Sequence, residues 1–68
     1  MTNSLSKIVS DARKEKRYTL AQVSMKANIS VSYLSDIEHG RKTPSFATLK
    51  RIVKVLEIPI DKLLYDHA

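Results

Sequence analysis

The residues best able to do chemistry lie between Thr19 and Gly40, in TLAQVSMKANISVSYLSDIEHG. Ser30, Val31, Ser32 and Tyr33, with Ser35 and Asp36 a turn further on, gather hydroxyls, a carboxylate and a small apolar side chain on one short stretch. Catalysis would need partners that the sequence does not supply. His39 and His67 stand far apart and poorly accompanied, and no Ser/His/Asp set, paired carboxylates or glycine-rich loop stands out. With no cysteine there is neither a disulfide framework nor a thiolate zinc site. No enzymatic activity, cofactor, metal or small-molecule ligand is expected. What remains is non-covalent recognition. A helix fits the major groove of B-DNA, where each base pair shows a distinct donor and acceptor pattern, and short polar groups on its outer face can read that pattern. Val31 has no structural reason to be apolar on an outer face, and contact with a thymine methyl supplies one. Asp36 is repelled by phosphates yet can accept from cytosine N4; it reads equally as plain helix surface or as a group that rejects wrong partners. Tyr33 either reaches the groove or packs against the preceding helix.

Such a face must be held out from a body, and the chain reads as helices throughout, with helical periodicity and no sustained alternation. One glycine and two prolines leave little of the turn chemistry that sheets need. The first helix is expected over about Leu5–Lys16, with Leu5, Ile8, Val9 and Ala12 as its stripe and Ser4 or Asn3 as cap. The second runs over about Leu20–Ala27, capped by Thr19, with Leu20, Val23 and Ala27 inward and Tyr18 packing down as a staple. The third runs over about Val31–His39, capped by Ser30, anchored by Leu34 and Ile37 and closed by a left-handed Gly40. Pro44 stops it from continuing. Ser45 caps a fourth helix over about Phe46–Leu56, with Phe46, Leu49, Ile52, Val53 and Leu56 inward. After Ile58-Pro59, a short fifth helix over about Ile60–Tyr65 supplies Ile60, Leu63 and Leu64. Val55 and Tyr65 suggest a contact with a second copy, with ordinary packing as the rival.

At 68 residues there is room for a single domain. No apolar run reaches the roughly 20 residues that span a bilayer, and the opening segment lacks a signal-peptide apolar region. The formal charge of +5 is unevenly spread. Residues 1–18 carry five bases and two acids, residues 19–40 one base and two acids, residues 41–54 five bases and no acid, and residues 55–68 one base and three acids. Positive charge therefore brackets the central stretch, which suits a polyanionic partner, with a merely solvated surface as an equal rival on charge alone. Lys50, Arg51 and Lys54 read as a solvated face.

The ordered residues Ile29-Ser30, Leu34-Ser35, Ile37-Glu38-His39-Gly40 and Pro44-Ser45, with Leu49, Leu56 and the ending Ile58-Pro59-Ile60-Asp61-Lys62-Leu63-Leu64, resemble the Cro/C1-type (XRE) helix-turn-helix family. Arg13-Lys14-Glu15-Lys16, Tyr18-Thr19-Leu20 and Ser32-Tyr33-Leu34-Ser35 look most like its SinR-type repressors. The resemblance spans roughly residues 5 to 65. It implies an all-α, compact five-helix lambda-repressor-like domain, with the helix-turn-helix formed by helices two and three over residues 19–40. The implied function is a cytoplasmic bacterial or phage-borne transcriptional regulator, a repressor by type, binding double-stranded DNA as a homodimer on an inverted repeat. Carried over by position, Val31, Ser32 and Asp36 fall on base-reading positions, with Tyr33 and Ser35 beside them. Arg41, Lys42 and Thr43 match the loop that meets the DNA backbone, and Thr19, Gln22 and Ser30 are the further backbone contacts. Arg13 and Glu38, otherwise two unrelated surface charges, match a buried ion pair that ties helix one to the end of helix three. Three positions depart from the family pattern. Leu20 replaces a phosphate-touching Gln, a contact that Thr19 or Gln22 must take over. Asn28 stands for Gly in the turn, where Asn tolerates the left-handed region. Ser24 replaces Ala and is tolerated if its hydroxyl is satisfied. The competing use of the same fold is as a protein-interaction module, an antitoxin or a partner that sequesters another regulator.

Overall fold

Each of the first four helices begins where the sequence supplies a side-chain oxygen for its orphan amides. The computed structural model describes residues 4–65. Ser4, Thr19, Ser30 and Ser45 open α1 (Leu5–Glu15), α2 (Leu20–Ala27), α3 (Val31–Glu38) and α4 (Phe46–Leu56). Their hydroxyls accept from the amides of Lys7, Gln22, Tyr33 and Thr48 at 3.4, 3.0, 3.0 and 3.1 Å. A short terminal segment, α5 (Ile60–Tyr65), follows. The described residues are all-α and contain no strand.

The chain reverses at left-handed residues. Asn28 (φ 59°) ends α2, Gly40 (φ 73°) follows α3 and Glu57 (φ 55°) ends α4. Arg17 (φ 60°) turns the chain from α1 into α2. Asn is among the few non-glycine residues that visit this region readily, so the Asn28 turn keeps the geometry a glycine would give.

Ile8, Val9, Val23, Ala27, Leu34, Ile37, Ile52, Leu56 and Ile58 form one buried core. The helix α2 packs against α3 and α4, while α1 packs against α3, α4 and α5. Leu34 and Ile37, 0% and 1% exposed, seat α3 on this core and leave its opposite side outward. Tyr18, Leu20 and Ile29 pack around the core edge, with Val53 and Val55. The Ser24 hydroxyl is buried and donates to the Ala21 carbonyl at 3.0 Å, which satisfies it.

Two expectations about the core are corrected. Phe46 and Ile60, expected inward, are 75% and 61% exposed. Both are the first residue of their helix, and a helical side chain tilts towards the N-terminus, past the end of the packed layer. The Phe46 ring lies instead under the Lys50 ammonium, 5.6 Å from its centroid. Val55, for which a contact with a second copy and ordinary packing were both open, is half-buried against the core. The side chains of Leu64 and Tyr65, and residues Asn3 and His67, lie outside what is described. Among the described residues no helix is long and apolar enough to cross a membrane.

Candidate nucleic-acid interface

The exposed end of α3 is set by its cap. Ser30, Val31 and Ser32 are exposed at its first turn, and the Ser30 hydroxyl is engaged with the Tyr33 amide. Val31 is 45% exposed and Ser32 has no side-chain partner among the described residues, so a methyl surface and a free hydroxyl stand together on one outer turn. Tyr33, Ser35 and Asp36 are half-buried, and each is engaged within the molecule.

The loop after α3 is fastened to these residues. The Asp36 carbonyl accepts from the amides of Arg41 and Lys42 at 2.8 and 3.3 Å. Its carboxylate accepts from Arg41 Nε at 2.9 Å and lies 3.5 Å from Lys42 Nζ. The Arg41 bond, then Lys42, holds the Asp36 carboxyl below the ordinary carboxylate range. Lys42 Nζ is 6.0 Å from the Tyr33 ring centroid, and the Tyr33 hydroxyl accepts from the Ser45 amide at 3.4 Å. Thr43 is exposed beside them. At the far end of α3, His39 Nδ1 lies 2.8 Å from the Ser35 carbonyl. A carbonyl only accepts, so Nδ1 carries the proton.

At the start of α2, Thr19 and Gln22 form a capping box. Thr19 Oγ1 accepts from the Gln22 amide at 3.0 Å, and Gln22 Oε1 accepts from the Thr19 amide at 2.8 Å. The box leaves the Thr19 hydroxyl proton and the Gln22 side-chain NH2 free to donate outward. Both residues are exposed, so the loss of Gln at position 20 leaves two donors at the same helix end.

Behind the face, Arg13 and Glu38 form a bidentate pair, Nε to Oε2 at 2.8 Å and Nη2 to Oε1 at 3.0 Å. Arg13 Nη1 also donates to the Tyr18 carbonyl at 2.9 Å. The side chains are only 15% and 5% exposed, and the Glu38 hydrogen bonds hold the Arg13 guanidinium above its ordinary pKa against the opposing effect of burial. The pair fixes α1 and the turn into α2 to the end of α3.

One role was missed in sequence. Arg51, expected on a solvated face, donates from Nε to the Ala27 carbonyl at 2.8 Å and from Nη2 to Thr48 Oγ1 at 3.4 Å. It satisfies an orphan carbonyl at the end of α2, next to the left-handed Asn28. A cation near an open helix end is the available signal, but which cation depends on how α4 crosses α2. Lys16 and Glu57 also meet, at 2.8 Å, across 41 positions of sequence. No group of metal-ligating side chains exists among the described residues.

The helix-turn-helix family model matches residues 9–63. The transcriptional regulator ClgR of Mycobacterium tuberculosis is 41% identical over 59 residues, covering 87% of this chain and 53% of its own length. The immunity repressor protein of Bacillus phage phi105 is 42% identical over 56 residues, covering 82% of this chain and 39% of its own. The chain thus spans about half the length of the curated relatives it matches, or less. The solved N-terminal DNA-binding domain of SinR from Bacillus subtilis superposes with a TM-score of 0.79 at 34% identity, covering 88% of each chain. With a family match that reaches from the middle of α1 into α5, the chain belongs to the Cro/C1-type (XRE) helix-turn-helix family.

Proposed function

We propose that the chain is the DNA-binding unit of a sequence-specific transcriptional regulator, a repressor by type, which reads the major groove with α3. The observation that carries this reading is the division of α3. Leu34 and Ile37 are sealed in the core while Ser30, Val31 and Ser32 stand exposed, with Arg41 and Lys42 beside them. In this reading Val31 and Ser32 meet base edges, with Tyr33, Ser35 and Asp36 bordering them. Thr19, Gln22, Ser30, Arg41, Lys42 and Thr43 meet the phosphates. The helix α5 counts as the fifth helix of a lambda-repressor-like domain. A homodimer sets two copies of α3 on one duplex face, about 34 Å apart, on an inverted repeat. The bacterial and phage relatives fit a regulator working in the cytoplasm.

The alternative, an antitoxin or sequestering module on the same fold, would draw on the exposed apolar Phe46 and Ile60. DNA is preferred because Arg41 and Lys42 stand beside the exposed outer face of α3, whereas the Phe46 ring already lies under the Lys50 ammonium. A salt titration of binding to random-sequence duplex separates the two. Each phosphate neutralised contributes roughly 0.9 to the fall of log affinity with log salt, so Arg41 and Lys42 contribute at most about −1.8 per subunit when both meet phosphates in full. A flat response, or no binding at low salt, removes the DNA reading.

A further inference from the structure

Asp36 lies four residues after Ser32 and so shares its helix face, and the family resemblance puts it among the base readers. Its carboxylate is not free for that task. Both oxygens are turned to the loop cations, Oδ1 to Arg41 Nε at 2.9 Å and Oδ2 to Lys42 Nζ at 3.5 Å, and its carbonyl holds the two loop amides.

We propose that Asp36 is a selectivity-determining residue: its carboxylate restrains the two phosphate-binding cations, lowering affinity for DNA of any sequence without reading a base. The proposal rests on the DNA-binding reading and deepens it. Two opposing effects have to be weighed. Ordering Arg41 and Lys42 would help binding, but their side chains are 58% and 61% exposed, and ion pairs this open confer little order. The charge effect is larger. The carboxylate cuts the local formal charge from +2 to +1, and the phosphate field acts on charge across a Debye length of about 10 Å. The restraint is partial by geometry. Arg41 spends only Nε on Asp36, so its outer nitrogens keep the planar fork that suits a phosphate. A seated complex therefore recovers the contacts, while a sliding or mis-seated one meets a half-neutralised loop.

The test compares Asp36→Asn with the wild-type 68-residue chain on random duplex and on a site selected by the wild type, across a salt series. Asn preserves shape and one acceptor, and circular dichroism checks the fold. One added effective charge steepens the slope on random duplex by about 0.9 and tightens binding there about ten-fold at 50 mM salt. The gain on the selected site is smaller, so discrimination falls. In an Arg41→Ala, Lys42→Ala background the same change steepens the slope by less than about 0.9 and tightens binding less, because the cations that the carboxylate neutralises are gone and only direct repulsion between carboxylate and phosphate is relieved. Unchanged affinity and slope in a chain that does bind duplex overturn the proposal alone, as does a changed preference at one base pair, which makes Asp36 a reader. A wild-type chain that binds no duplex overturns the DNA reading and the proposal together.

Discussion

Glu38→Ala should be among the most damaging single changes in the domain. It removes the acceptor for two bonds from Arg13, at 2.8 and 3.0 Å, in a pair whose side chains are 15% and 5% exposed. Losing one partner of a buried pair costs about 3–5 kcal/mol, because the other charge stays behind. Here Arg13 retains its 2.9 Å bond to the Tyr18 carbonyl and a little water, which places the cost near the low end, about 3 kcal/mol. A domain of this size has a total stability on the order of 3 to 10 kcal/mol. The melting temperature should therefore fall by about 12–24 °C, read by circular dichroism at 222 nm with urea melts for the free energy. The companion variant is Arg13→Met with Glu38→Leu, which replaces both charges by apolar groups and should recover most of the loss. A single change costing under about 1 kcal/mol, or a double change costing the sum of the two singles, would refute the claim that this pair ties α1 to α3.

Three other substitutions probe the frame. Arg17→Gly relieves a left-handed residue at φ 60°, worth about 1–2 kcal/mol against about 0.5–1 kcal/mol of added chain entropy; a small rise in urea midpoint is expected, and a fall contradicts it. Arg51→Met keeps the aliphatic stem but loses the 2.8 Å bond to the Ala27 carbonyl, so stability should drop by about 1.5–2 kcal/mol while site preference is unchanged. Phe46→Ser, at a position 75% exposed, should cost under about 0.5 kcal/mol, whereas the fully buried Ile52→Ala should cost about 2–5 kcal/mol; equal losses in a thermal melt would mean that Phe46 belongs to the core.

Local chemistry made much of the frame legible in sequence. Thr19, Ser30 and Ser45 announce helix starts because a hydroxyl before an apolar stripe has one obvious use, and Gly40 and Asn28 announce turns because few residues accept a positive φ. The family spacing brought Arg13 to Glu38, which lie 25 positions apart and which no local rule connects. What stayed hidden depends on angles between helices. The same hydrophobic pattern that buries Ile52 suggested burial for Phe46, because periodicity says which side a residue takes and not where the packed layer ends. Arg51 looked solvated because nothing in sequence shows that α4 passes the open end of α2. On the outer face, the family resemblance put Val31, Ser32 and Asp36 on base-reading positions, while the chemistry of Asp36 left its role open. Only the folded loop shows Asp36 held by Arg41 and Lys42, while Val31 and Ser32 remain open.

The most direct test of the central claim, that α3 reads DNA through its exposed first turn, is selection of bound sites from a random duplex library by the wild type, Val31→Ala and Ser32→Ala. The wild type should enrich an inverted repeat with half-site centres about 10–10.5 base pairs apart, and each variant should shift the preferred base at one position of the half-site. No enriched site, or the same site selected by all three proteins, would contradict the assignment of α3 as the recognition helix.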